Sequence, residues 1–285
     1  MPWLNDILDQ LAATLPCGYA PNGLPATEPT AVASLALVHA NRSDAAVVGL
    51  NWLATNQASE GTLGINAAEK TPNWPTNWAI MAWVATGKRD PKLAFAKPIR
   101  QAVDWLATME GQPMHAADDL GHDASLKGWP WVAGTHSWIE PTALALLALR
   151  AVGQANHPRA QEAIRLLYDR QLPHGGCNYG NTIVLGQELV PHVQPTGLAM
   201  LALAGEPDPK GHIARGLKFL QANLGPETAT ASLCYGLFAL TAHHQRPAQA
   251  NEWLQSASQR TFAGDNSPYK LALLALAAQA KENMV

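Results

Sequence analysis

Asp118 and Asp119 stand side by side in the stretch MHAADDLGHD, which also holds His115, His122 and Asp123. Adjacent like charges oppose each other's ionisation, so one carboxyl of such a pair can keep its proton near neutral pH. A carboxyl in that state suits proton donation to a reacting group. A solvated acidic loop has the same composition, and both readings stand at this point. His115, His122 and Asp123 would hold a metal only on a helix or hairpin that aimed them together, which the spacing does not show. No metal and no cofactor are expected.

Two further carboxyls recur in one context. Glu28 opens EPTAVASLAL and Glu140 opens EPTALALLAL. A negative charge at a helix start is worth about 0.3–1 kcal/mol through the helix dipole. Glutamate is nevertheless not a favoured N-cap, which leaves a role facing a cavity open. Asp118, Asp119, Glu140 and Glu28 are therefore the candidate catalytic residues. Around them in the sequence lie Trp74, Trp78, Trp129, Trp131, Trp138 and Tyr179, with His136, His174 and His192 in the same connections. Tryptophan faces stabilise cations by about 0.5–2 kcal/mol each. They stack on sugar rings as well, and they also fill cores. These aromatics and histidines are the candidate ligand contacts.

A repeat positions them. Apolar, alanine-rich segments begin at Glu28-Pro29-Thr30, Trp74-Pro75-Thr76, Glu140-Pro141-Thr142 and Gln194-Pro195-Thr196, with degenerate copies at ETATASLCYGLFAL and NSPYKLALLALAA. Proline is tolerated at the first helical position because its missing N–H has no partner there. More polar helical segments alternate with these, among them AAVVGLNWLATNQ, IRQAVDWLATME and AQEAIRLLYDRQ. A helix apolar all round is buried, whereas a one-sided helix faces water. Six buried helices alternating with six half-exposed ones predict an all-α fold, an α/α toroid of six inner and six outer helices forming a single domain over residues 1–285. The connections from outer to inner helices are long, the longest an insertion at about 110–139, and long loops on one rim of a rigid scaffold are where function usually sits.

The strings QASEGTLG (57–64) and QLPHGGCN (171–178) resemble the Q-x-x-D-G-x-W repeat of squalene-hopene cyclases and prenyltransferase β-subunits, with Glu60 and His174 in place of its aspartate and Leu63 and Cys177 in place of its tryptophan. On these motifs the chain resembles the prenyltransferase/squalene-hopene cyclase repeat superfamily. The resemblance implies an isoprenoid ligand and a toroidal fold, while the chemistry must be tested separately. The D-x-C zinc motif of protein prenyltransferases is absent; His192, Gln194 and Ser232 stand nearest its ligand positions. Of the proton-donating D-x-D-D string only Asp118-Asp119 remains, after Ala116-Ala117. The G-C-G-E-Q string of complement-type thioesters is missing too.

Charge narrows the ligand class. The chain carries 19 Lys and Arg against 22 Asp and Glu, a net charge of -3, so no nucleic-acid footprint is expected. Acids crowd the long connections, while Arg42, Lys88, Arg89, Arg150 and Arg246 fall at the C-termini of apolar helices. A diphosphate needs a cluster of Arg and Lys, which points instead to a neutral or cationic ligand. MPWLNDILDQLAATL reads as an amphipathic helix rather than a secretory signal, with association at a membrane surface as its other use. Three separated cysteines signal neither a disulfide framework nor a thiolate site, as in a reduced cytoplasmic protein.

Three functions follow as alternatives. The first is a terpene-cyclase-like or other isoprenoid-binding or modifying protein, acid-initiated if catalytic, acting on a hydrophobic small molecule. The second is a non-catalytic toroid that binds a ligand or a protein. The third is a carbohydrate-active hydrolase or lyase using rim carboxylates.

Overall fold

The computed structural model describes residues 1–113 and 121–280. Asp118, Asp119 and His115 lie outside the described residues. Among the described residues the chain forms twelve α-helices, so the all-α expectation holds.

The chain divides into two compact units. The first comprises residues 1–108 and 251–280. It holds α1 (Pro2–Thr14), α2 (Thr27–His39), α3 (Ser43–Asn56), α4 (Thr76–Arg89), α5 (Ala96–Thr108), α11 (Ala250–Ala263, its first residue excepted) and α12 (Pro268–Gln279). Helix α2 packs against α4, α12 and α3, and it is buried from Thr27 to Val38. Helix α3 buries only Ala46, Gly49, Leu50 and Leu53, the spacing of a one-sided helix. Trp83 turns toward this flanking helix, its indole N–H donating to the Leu50 carbonyl at 3.2 Å.

The second unit, residues 109–250, holds α6 (Ile139–Ala151), α7 (Pro158–Asp169), α8 (Val193–Ala202), α9 (His212–Asn223) and α10 (Thr230–Ala242). Helix α8 packs between α6 and α10, with α7 and α9 flanking. A Cβ on Gly197 of α8 would stand 2.7 Å from the Tyr235 backbone, so glycine is what lets α8 and α10 approach.

Two local readings need correction. The sequence shows no strand alternation, yet Ile183–Val184 and Gln187–Glu188 pair as an antiparallel hairpin. Two-residue strands are too short to display a period. Leu185 and Gly186, both at positive φ (52° and 73°), make the tight turn between them. Proline also does not sit at the first helical position in the best copies. Helices α2, α6 and α8 begin two residues earlier, so that Pro29, Pro141 and Pro195 are third. The first several N–H groups of a helix have no intrahelical acceptor, and proline fits there equally well.

The threonine after each proline does more than let helices approach. The Oγ1 atoms of Thr30, Thr76, Thr142 and Thr196 accept the backbone N–H of Cys17 (3.1 Å), Leu63 (2.9 Å), Trp129 (2.9 Å) and Cys177 (2.8 Å) respectively. All four threonines are fully buried. Each therefore pins its long connection to the start of the buried helix. Thr142→Val should cost about 1–3 kcal/mol, because the Trp129 N–H is left buried and unpaired. Thr142→Ser, which keeps the hydroxyl, should unfold in urea close to the wild-type midpoint.

Candidate functional site

Glu28 is the second residue of α2, where the helix dipole favours its ionised form. Burial opposes this and wins. The residue is 5% exposed, and desolvation pushes its carboxyl up from the ordinary 4.5 to about 7. Tyr19, Tyr269 and Trp78 hold the shift in check from around the carboxyl. The Tyr19 hydroxyl donates to Glu28 Oε2 at 2.6 Å. The buried Trp78 indole N–H lies toward the same group without a well-formed hydrogen bond. Among the described residues no other carboxylate contributes to the shift.

The parts of this cluster come from four places in the sequence. Tyr19 is in the connection between α1 and α2, Glu28 opens α2, Trp78 is in the first turn of α4, and Tyr269 opens α12. The Tyr19 and Tyr269 rings meet edge to face at 5.7 Å between centroids and 66° between planes. Ser267, just before α12, donates its hydroxyl to the Tyr19 carbonyl at 2.5 Å. The result is a buried, protonatable carboxyl with an indole and two phenols around it. Chemically it can hold a proton near neutral pH and present aromatic rings to a cation. Sequence reasoning selected Glu28 and Trp78 but missed Tyr19 and Tyr269.

The second unit holds the other candidates. Glu140, second in α6 and 6% exposed, accepts from Gln194 Nε2, which lies 3.3 and 3.5 Å from its two oxygens. Gln194 is second in α8, the equivalent repeat position. His136 and Trp138 stack at 4.3 Å, and Tyr179 and His192 at 5.2 Å. The Ile139 N–H donates to the Tyr179 carbonyl at 2.8 Å, tying the start of α6 to the Tyr179 connection. Burial, and then the nearby Arg170 charge, lower the His136 pKa and favour its neutral form. Arg170 itself is buried and donates to the Gly180 carbonyl at 2.9 Å.

Trp129 joins the second group through its backbone, its carbonyl accepting the Trp138 N–H at 3.1 Å. Trp129 is buried beneath Arg159, whose guanidinium lies 4.2 Å from the ring centroid. Arg159 also donates to the carbonyls of Lys127 (2.6 Å), Met109 (2.9 Å) and Gly128 (3.0 Å). That ring face is occupied by the protein itself. Arg159→Met should lower stability by about 2 kcal/mol, since three part-buried loop carbonyls lose a charged donor. Thermal melting with tryptophan fluorescence measures this. Trp74 is half-buried just ahead of α4, Trp131 is half-buried, and His174 is exposed in the turn closed by the Leu172 N–H and Gly176 carbonyl. His122 and Asp123 take different hydrogen-bond partners: His122 Nδ1 meets Thr182 Oγ1 at 3.2 Å, and Asp123 accepts from Ser125 Oγ at 2.6 Å. Among the described residues no helix is long and apolar enough to cross a membrane.

No family model matches the chain, and no curated protein matches it in sequence. Solved structures do. Type II terpene cyclase MstE from Scytonema matches with a TM-score of 0.62 at 14% identity, over 100% of this chain and 99% of that one. Variants of that cyclase were solved with geranylgeranyl dihydroxybenzoate as substrate and with merosterolic acid A as product. A protein from Actinoplanes matches at 0.57 and 16% identity, over 92% of this chain and 80% of that one. Salmonella alpha-2-macroglobulin reacted with methylamine matches at 0.52 and 14% identity, over 98% of this chain but 17% of that one. At these identities the likeness shows the fold, and it extends along this entire chain.

Proposed function

We propose that this chain is an isoprenoid-modifying protein of the terpene-cyclase type, a degenerate member of the prenyltransferase/squalene-hopene cyclase superfamily. In this reading the six helical hairpins close as one toroidal domain around a hydrophobic small molecule. Glu28 supplies the proton that starts the reaction. The observation that carries the reading is the Glu28 cluster: a carboxyl 5% exposed, raised to about 7, and flanked by Trp78, Tyr19 and Tyr269. Burial supplies occupancy, because an ordinary glutamate would have lost its proton by pH 7. The rings supply shelter for positive charge on the ligand once the proton has moved. Glu140 with Gln194, His136–Trp138 and Tyr179–His192 are proposed as further ligand contacts. The substrate and product bound to the Scytonema cyclase support an isoprenoid as the ligand class.

Organic extraction of the detergent-free protein, compared by mass spectrometry with a mock purification, tests the ligand class. The expected result is a compound of isoprenoid mass in stoichiometric amount. An extract identical to the mock, together with no uptake of added geranylgeranyl dihydroxybenzoate, would contradict the proposal. Uptake without chemical change would turn it into a binding protein.

A further inference from the structure

We propose that Tyr19 is the route by which Glu28 recovers its proton from solvent. The inference rests on the reading of Glu28 as the proton donor and deepens it. A buried acid that acts more than once must be reloaded, and Glu28 at 5% exposure has little direct access to water. Tyr19 spans that gap. Its residue is 42% exposed, yet its hydroxyl reaches Glu28 Oε2 at 2.6 Å. The ring is held in place at both ends of the residue, by the Ser267 hydroxyl on its carbonyl and by the Tyr269 ring against its edge.

A phenol hydroxyl donates one proton and accepts another at once. After Glu28 gives its proton to the ligand, the Tyr19 hydroxyl proton moves to Oε2 and the phenolic oxygen takes a proton from water at its exposed side. The Tyr19 O–H bond that breaks is replaced by a new one, and Glu28 regains its O–H. One proton enters from solvent, and no tyrosinate persists. The proton lost by the ligand cation at the end of the sequence returns to water, so the cycle balances without an oxidant or reductant. Tyr269, whose hydroxyl also acts on Glu28, is less exposed than Tyr19 and is assigned the part of a donor that holds the carboxyl.

Infrared spectroscopy reads this step without any substrate. The Glu28 carboxyl band is the C=O band that Glu28→Gln removes, and its growth is followed after a pH jump from about 8 to about 6. Tyr19→Phe keeps the ring contact with Tyr269 and should slow that growth at least tenfold. It should also raise the midpoint pH of the band, because a donor to the ionised form is lost. Tyr269→Phe should raise the midpoint and leave the rate unchanged. A Tyr19→Phe rate within twofold of wild type overturns the relay and leaves the Glu28 assignment standing. Absence of a Glu28-dependent band in the wild type near pH 6 overturns both.

Discussion

Glu28→Gln is expected to lower turnover of an isoprenoid substrate by about 10²–10⁴-fold, the usual loss when a positioned acid is removed, while the helical content is retained. The amide keeps the shape of the carboxyl and can still accept the Tyr19 hydroxyl, but it has no proton to give. Glu140→Gln separates this role from a general need for buried glutamates. Glu140 faces Gln194, an amide already suited to hydrogen-bond another amide, so its replacement should act on substrate affinity more than on the rate at saturation. Equal losses of rate in the two variants would remove the special standing of Glu28. Undiminished rate in Glu28→Gln would remove Glu28 from the chemistry altogether.

The same substitution should stabilise the protein at neutral pH. Below pH 4.5 Glu28 is protonated both in the unfolded chain and in the fold. Between 4.5 and about 7 the unfolded chain releases that proton while the folded one keeps it, so stability falls as pH rises through this window. Above it the loss is complete and amounts to about 3 kcal/mol. Glu28→Gln carries no such term. Urea unfolding should therefore show the variant gaining on wild type by about that amount between pH 4.5 and 8. A wild-type to variant difference that does not change with pH would mean that Glu28 ionises normally. A gain in stability coupled to a loss of activity is the signature of a group held in an unfavourable site for a function.

The helices were readable because the repeat states them many times. Alternation of apolar and one-sided segments is a local signal, and Pro-Thr marks four of the junctions. The work of the threonine was not readable. Thr142 reaches back to Trp129 across a connection whose path the sequence does not state. The clamped positions Leu63 and Cys177 are those where the resemblance expects tryptophan, and both residues are held by the threonine all the same.

At the candidate site the legible part was the carboxyl and the illegible part was its surroundings. Read as misplaced N-caps, Glu28 and Glu140 stood out in the sequence; the caps are in fact Ala26 and Trp138, yet both glutamates prove buried. Nothing near Tyr19 or Tyr269 in the sequence connects them, since they meet only when α12 packs against α1 and α2. Trp129 shows the converse. Composition marks it as a ligand contact, but Arg159, distant in sequence, covers its ring. Counting aromatics finds candidates, and only packing says which ring faces are open.

The central claim is that the Glu28 proton ends on an isoprenoid. Incubation with geranylgeranyl dihydroxybenzoate in D₂O, followed by mass spectrometry, addresses it directly. Wild-type protein should yield an isomerised product one mass unit heavier for each solvent-derived proton retained on carbon, and Glu28→Gln should return the substrate unlabelled. Substrate returned unlabelled by wild type, or product labelled equally by the variant, would contradict the claim.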